Sequence, residues 1–296
     1  METEIAYLTR QAYFGLLIAQ AQITAAQTGV AAAEQQDLDA RDAVKAGNVL
    51  KVVQTGSRAK LLQNRHKLLS AQATAADLTS ELNDLMGEAL QTPLDLAPVS
   101  PDARPLPTRE AMLDQVRQAN PDLAVAQATL EKSRSALKAG KSEYIPEVGA
   151  FVRQTHQDGL PFVQANSTSY GLSLSWNIFD WGKRSGVVNQ RAALVSQASN
   201  NYDRVRNRAE IDLDRLLRKL ETAQILAEAA DEACATNAEK ARLAGNQQQS
   251  GLIPASKKEE ADAEAKASEA ELLAARLGLD LTRAELDRLL GGGLSQ

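Results

Sequence analysis

Proline placement constrains this chain more than any other feature. None occurs between Met1 and Thr92, and none between Phe162 and Ile253, while five of the nine fall at Pro93, Pro98, Pro101, Pro105 and Pro107. Proline lacks the N–H a helix needs, and its ring clashes with the preceding turn. Two long proline-free blocks therefore read as helix, separated by a proline-rich linker over 91–108. Aromatic residues make up only 4% of the chain. That is too few to fill a globular core, so the helices must pack through narrow seams of Ala and Leu.

The first block, 1–90, reads as a helical hairpin. Its turn lies at Ala46-Gly47-Asn48, and its return helix runs to Met86 and stops at Gly87, since Gly and Asn tolerate the left-handed geometry that ends helices. Thr108 can cap a third helix carrying Glu110 and Asp114 in its early turns. That helix runs from Arg109 toward Lys141 and is perturbed near Pro121. After Gly182 the helical period continues to about Ala244, roughly 60 residues or ~90 Å at 1.5 Å per residue. A polar turn is expected from Gly245 to Gly251. The return helix begins near Pro254, which suits a first turn, and ends at Gly291-Gly292-Gly293.

Between the blocks the period becomes two, the signature of a strand. From Ser167 to Phe179 one face carries Tyr170, Leu172, Leu174, Trp176 and Ile178. The other carries Ser169, Gly171, Ser173, Ser175 and Asn177. The partner strand is expected over Tyr144–Thr155, with Val148, Ala150 and Val152 on one face, and the connecting loop begins at His156-Gln157-Asp158-Gly159-Leu160-Pro161. Strands of about ten residues with one apolar and one small polar face suit a water-filled membrane barrel. Tyr144, Trp176, Phe179 and Trp181 fall near one end, as an interfacial aromatic belt would. A soluble sheet packed on helices gives the same alternation. The long flanking helices favour the barrel, because no globular helix layer is proportioned to cover such a sheet.

The two helical blocks match at a constant offset of 204. Gly47 falls on Gly251, and Leu68, Ala75 and Leu82 fall on Leu272, Leu279 and Leu286. Glu81-Leu82-Asn83-Asp84-Leu85-Met86-Gly87 matches Glu285-Leu286-Asp287-Arg288-Leu289-Leu290-Gly291. One hairpin used twice predicts pseudo-two-fold architecture; chance similarity of Ala/Leu-rich helices is the competing explanation. Many seam positions are Ala, such as Ala31, Ala32 and Ala33, or Ala261, Ala263 and Ala265. Such seams let helices approach closely and build a thin wall against similar hairpins.

Several function classes are disfavoured. The net charge is −5 with a pI near 5.3, whereas nucleic acid needs a basic face. Cys234 is the one cysteine and reads as small-residue packing. His66 and His156 are far apart, and no cluster has metal-ligand spacing. No phosphate loop, nucleophile–base arrangement or paired carboxylates point to an enzyme, and Asp212 and Asp214 read as solvated helix charges. No metal or cofactor is expected. No apolar run is long enough for a transmembrane helix.

The run Tyr170-Gly171-Leu172-Ser173-Leu174-Ser175-Trp176-Asn177-Ile178-Phe179-Asp180-Trp181-Gly182-Lys183-Arg184 resembles the TolC-like outer-membrane efflux protein family. Ala139-Gly140 followed by Tyr144-Ile145-Pro146 also resembles that family's approach to a strand. The resemblance implies a mainly α fold of long antiparallel helical hairpins in a pseudo-two-fold repeat, with one β-hairpin belonging to a membrane β-barrel. The expected spans are repeat-one hairpin 1–90, linker 91–108, helices leading to the barrel 109–143, barrel hairpin 144–180 and repeat-two hairpin 181–293.

The resemblance also implies function. It points to a homotrimer forming a passive trans-periplasmic exit duct of a tripartite efflux or secretion system. Its expected partners are outer-membrane lipid, a periplasmic adaptor (membrane fusion) protein and an inner-membrane pump. Adaptor-contacting tips are expected at Gly47, Asn48, Val49, Gly251, Leu252 and Ile253. A periplasmic gate element is expected at Lys257 and Glu260, where a solvated helical face with i,i+3 pairs is the competing and somewhat favoured explanation. Tyr170, Leu172, Leu174, Trp176 and Ile178 are expected to face lipid. Family members begin with a signal sequence, a helix and a first β-hairpin, so this chain reads as N-terminally truncated, without a signal sequence. A trimer of it would supply six strands. A periplasmic coiled-coil adaptor or scaffold without channel activity is the alternative. It should carry flanking strand-rich modules, and the sequence has none.

Overall fold

The computed structural model describes residues 2–99, 105–156 and 166–292. Its elements are α1 (Glu2–Lys45), α2 (Lys51–Met86), α3 (Arg109–Ala119), α4 (Pro121–Ser142), β1 (Glu147–His156), β2 (Asn166–Ser175), α5 (Lys183–Gln249) and α6 (Ala255–Leu289). The chain divides into two compact units, one of Met1–Val116 with Ile211–Gln296 and one of Arg117–Glu210. The expected loop at Gln157–Pro161, and with it Pro101 and Gly293, lies outside the described residues.

In the first unit α1 packs against both α2 and α6. α6 in turn is tied to α5 by Lys219 Nζ donating to Glu285 (2.6 Å) and Arg276 donating to Asp231 (2.8 Å). The helix order across this layer is therefore α2, α1, α6, α5. The seams are built largely from small side chains: Ala12, Ala19, Ala32, Ala33, Ala71 and Ala275 are buried. At Gly15 a Cβ would stand 3.2 Å from Leu78 Cδ1, so α1 and α2 are close there. Larger anchors sit at the end remote from the turns, where Leu16, Leu82, Leu213, Leu286 and Leu290 are buried. Leu94 and Leu96 of the linker cover Leu16 and Leu82. Buried Asn83 donates to the carbonyls of Leu90 and Thr92 (3.1 and 2.9 Å), and Tyr13 Oη to that of Ala97 (2.7 Å), pinning the linker down.

The internal repeat is present in the hydrogen bonds. At the α1–α2 turn the Gly47 N–H donates to Val44 O and Asn48 N–H to Ala43 O; at the α5–α6 turn Gly251 N–H donates to Gln248 O and Leu252 N–H to Gln247 O. The helix ends repeat as well. Gly87 and Glu88 donate to Asp84 and Asn83, and Gly291 and Gly292 donate to Arg288 and Asp287. Every donor and acceptor is displaced by 204 positions. Gly47, Gly87, Gly251 and Gly291 all have φ between 71° and 74°, the left-handed region that favours glycine. Chance similarity would not reproduce four pairs of bonds in one register.

Three helix boundaries differ from the sequence expectation. The polar turn is shorter than Gly245–Gly251, because α5 continues through Gly245 to Gln249. A glycine inside a helix costs about 1 kcal/mol, too little to stop a helix held by neighbours. Pro254 is the residue before α6 rather than in its first turn. The helix expected from Arg109 to Lys141 is two helices: Asn120 accepts from the N–H groups of Asp122 and Leu123 (3.0 and 3.1 Å) and starts α4 afresh, with Pro121 at its first position.

In the second unit, α4 and the opening of α5 are joined by Arg191, which donates to Ala136 O (3.0 Å) and pairs with Glu143 (3.5 Å). β1 and β2 form an antiparallel two-stranded sheet.

Candidate functional site

The hairpin of the second unit has an unusual distribution of polarity. Its register sets Val148 opposite Leu174, Ala150 opposite Leu172 and Val152 opposite Tyr170. One face is thus apolar along its centre. The other pairs Gly149 with Ser173, Phe151 with Gly171 and Arg153 with Ser169. Phe151 lies across Gly171, where a Cβ would stand 3.1 Å from its ring. The apolar face is bare: Tyr170 and Leu172 are 83% and 82% exposed, and Val148, Val152 and Leu174 are exposed with them. An isolated two-stranded hairpin is marginal in water, and a bare apolar face of this kind marks a surface that another phase or partner covers.

The strands are shorter than expected. β2 ends at Ser175, so Trp176 and Ile178, expected on the same strand face as Leu174, lie beyond it. The register explains the stop. The position opposite Trp176 is Pro146, which has no N–H to donate to the ladder. Instead the Trp176 indole N–H donates to Tyr144 O at 3.3 Å. Likewise β1 begins at Glu147 rather than Tyr144.

The segment after β2 turns the chain into α5. Asp180 accepts from the backbone N–H groups of Gly182 and Arg184 (3.2 and 3.0 Å) and from Arg184 Nε (2.7 Å). The Arg184 guanidinium lies 5.0 Å from the centre of the Tyr144 ring and donates to Glu143 O. Gly182 is left-handed at φ 85°, and Trp181 beside it at φ 55°. Asp, Gly and Arg therefore sit where cap, turn and latch require them. Phe179 and Trp181 stack edge-to-face at 4.9 Å and are exposed.

In the first unit the two turns carry Gly47, Asn48 and Val49, and Gly251, Leu252 and Ile253. Near the second turn Glu260 is held from three helices. Lys60 of α2 donates to Oε1 (2.8 Å), Lys257 of α6 to Oε2 (2.9 Å), and Gln36 of α1 also hydrogen-bonds to it. The Lys60 and Lys257 ammonium groups pull the Glu260 carboxyl down to about 2, against partial burial that favours the neutral form. Lys257 is raised in turn by its bond to Glu260. Lys257 and Glu260 were expected from the sequence; Lys60 was not, because nothing local links positions 200 residues apart. Lys60 and Glu260, with Gly29, Ala32 and Ala33, line a groove of about 590 Å³. Among the described residues no group of three His, Cys, Asp or Glu could hold a metal, and no helix is long and apolar enough to cross a membrane.

Long helical hairpins used twice, with a short hairpin exposing an apolar face, define a class of helix-walled proteins carrying a β segment. The outer membrane efflux protein family matches over residues 112–292, and the chain belongs to that family. Solved structures share the fold. A membrane protein from Pseudomonas aeruginosa has a TM-score of 0.75 at 17% identity, covering 98% of this chain and 66% of its own. The CmeC outer membrane channel of Campylobacter jejuni has 0.78 at 14%, covering 98% and 63%. The open state of the MtrE outer membrane channel of Neisseria gonorrhoeae has 0.77 at 19%, covering 99% and 67%. The chain thus spans about two thirds of the length of these relatives. A comparison with curated proteins finds no match.

Proposed function

We propose that this chain is a wall segment of an outer-membrane exit duct serving a tripartite efflux or secretion system, and that it moves cargo passively. The observation that carries this is the apolar face formed by Val148, Ala150, Val152, Tyr170, Leu172 and Leu174, bare on a hairpin too small to be stable alone. Lipid is the phase that covers such a face when strands close into a barrel, and closure also pairs the free edges. The helical part stands in the periplasm, and copies of the chain assemble, as a homotrimer in this reading.

The tips at Gly47, Asn48 and Val49 and at Gly251, Leu252 and Ile253 present the adaptor-docking turns of that assembly, which an inner-membrane pump energises. Lys257 and Glu260 form the gate element, with Lys60 as the residue that holds Glu260 back. The family's membrane channels favour transport over catalysis.

The test is to fractionate cells producing the intact protein and measure single-channel conductance of the detergent-purified material in planar bilayers. Outer-membrane recovery with discrete conductance steps is expected. A monodisperse soluble protein without conductance removes the proposal.

A further inference from the structure

With histidine neutral, the two strands of the second unit carry only two charged side chains, Glu147 and Arg153. Both fall on one face. Glu147, Gly149, Phe151 and Arg153 alternate with Val148, Ala150 and Val152 along β1, so the apolar face carries neither charge. The charged face is otherwise built of small side chains, among them Gly149, Ser169, Gly171 and Ser173. Phe151 is folded across Gly171 and so covers its partner strand. Arg153 stands opposite Ser169, and the two meet through the Arg153 backbone, whose carbonyl accepts from Ser169 Oγ (3.4 Å). The Arg153 side chain is exposed and makes no ion pair among the described residues.

Glu147 does not cancel Arg153. The two are six positions apart on β1. That is ~20 Å along a strand and about 15 Å along the axis of a barrel whose strands tilt by about 40°. The screening length in water is about 10 Å at 0.1 M salt. Glu147 lies at the end of β1 that follows α4, and Arg153 lies toward the opposite end. The wet face thus has an acid at one level and a base at another, each acting on its own stretch of the lumen.

We propose that Arg153 sets the charge preference of the duct's barrel, so that its lumen favours anionic solutes, such as those bearing carboxylate, sulfonate or phosphate groups, over cations. This rests on the reading of the hairpin as a barrel segment with its apolar face on lipid. It adds which residue of the water-filled side discriminates between solutes, and by what sign of charge. Each copy of the chain brings one Arg153 to the same level, so an assembly carries a ring of guanidinium groups. Rings of fixed charge select ions by sign. Small neighbours leave the ring open, and passage is biased without being blocked. One charge about 10 Å from an ion in water changes the ratio of anions to cations there by about fourfold, or by nearer twofold once 0.1 M salt screens it.

The experiment reads the reversal potential of the intact, detergent-purified protein in planar bilayers under a potassium chloride gradient. Arg153→Ser is expected to lower the chloride-to-potassium permeability ratio by about twofold, and Arg153→Glu by more. Arg153→Ser combined with Ser169→Arg is expected to recover the preference, because position 169 lies directly opposite on the same face. A further variant carries Cys234→Ser and Arg153→Cys. Adding an ammonium-bearing methanethiosulfonate to its open channels is expected to raise the ratio, and a sulfonate-bearing one to lower it. The channel is already folded and inserted when that charge changes, so misfolding does not imitate the result.

Reversal potentials alike in all variants overturn the proposal. So do reagents of both signs acting alike or not at all, or a Ser169→Arg change that restores nothing. The same recordings separate the two readings. Channels that conduct but are indifferent to the charge at position 153 remove this inference and leave the duct. Absence of conductance in the unsubstituted protein removes the duct, and this inference with it.

Discussion

Gly47 and Gly251 hold one backbone conformation at one place in two copies of a hairpin, with φ of 74° and 71° and the same pair of turn hydrogen bonds. Neither glycine has an atom within 4 Å of the position a Cβ would take. Their requirement is conformational and owes nothing to crowding.

Gly47→Ala and Gly251→Ala are therefore each expected to destabilise by about 1 kcal/mol through left-handed strain. Gly56→Ala, inside α2 with equally open space and no left-handed backbone, is expected to stabilise by about 0.5–1 kcal/mol. Urea unfolding of the three variants checks both signs. Equal shifts at Gly47 and Gly56 would contradict the turn assignment.

Glu260 gives the first unit an acid-sensitive tie between α1, α2 and α6. Its carboxyl is lowered from 4.5 to about 2, so its contribution is complete above pH 4.5 and is lost as pH falls toward 2. After discounting for the half-exposed Lys60, the tie contributes on the order of 1–2 kcal/mol. Glu260→Gln is expected to lower stability at pH 7 by that amount and to flatten the stability profile between pH 4.5 and 2. A profile unchanged by the substitution would show that the bonds from Lys60 and Lys257 do not hold in solution.

On the hairpin, Leu172→Arg places a charge on the apolar face, while Ser173→Arg places it on the other. The first is expected to cost about 2–4 kcal/mol of membrane insertion and the second little. Outer-membrane yield of the two variants decides this. Equal losses would mean the faces are not distinguished by lipid.

Asp180→Ala removes the acceptor for two backbone N–H groups and for Arg184 Nε. A loss of about 1–2 kcal/mol is expected. Hydrogen exchange should quicken in the first turn of α5 and leave the far end unchanged. Uniform quickening along α5 would place the effect elsewhere.

Much of this architecture was legible because glycine and proline act locally. The stops at Gly87 and Gly291 and the polar faces at Ser169 to Ser175 follow from backbone sterics and period two. The offset between Gly47 and Gly251 needed only register counting. What was missed depends on a partner distant in sequence. β2 ends at Ser175 because Pro146 stands opposite Trp176, and a run of alternating residues cannot show its own neighbour. Gly245 looked like a turn residue, yet α5 passes through it, since tertiary packing outweighs a single unfavourable propensity. Glu260 was legible as an acid near the tip, but Lys60 was hidden because only folding brings α2 and α6 together.

The most direct test places a polarity-sensitive fluorophore at Leu172 and, separately, at Ser173 in the bilayer-reconstituted protein, and compares quenching by a lipid-borne with a water-borne quencher. We expect the label at 172 to be quenched from the lipid and the label at 173 from water. Labels quenched alike, or a label at 172 reached only from water, would mean that no bilayer covers this face, and the duct would lose its anchor in the membrane.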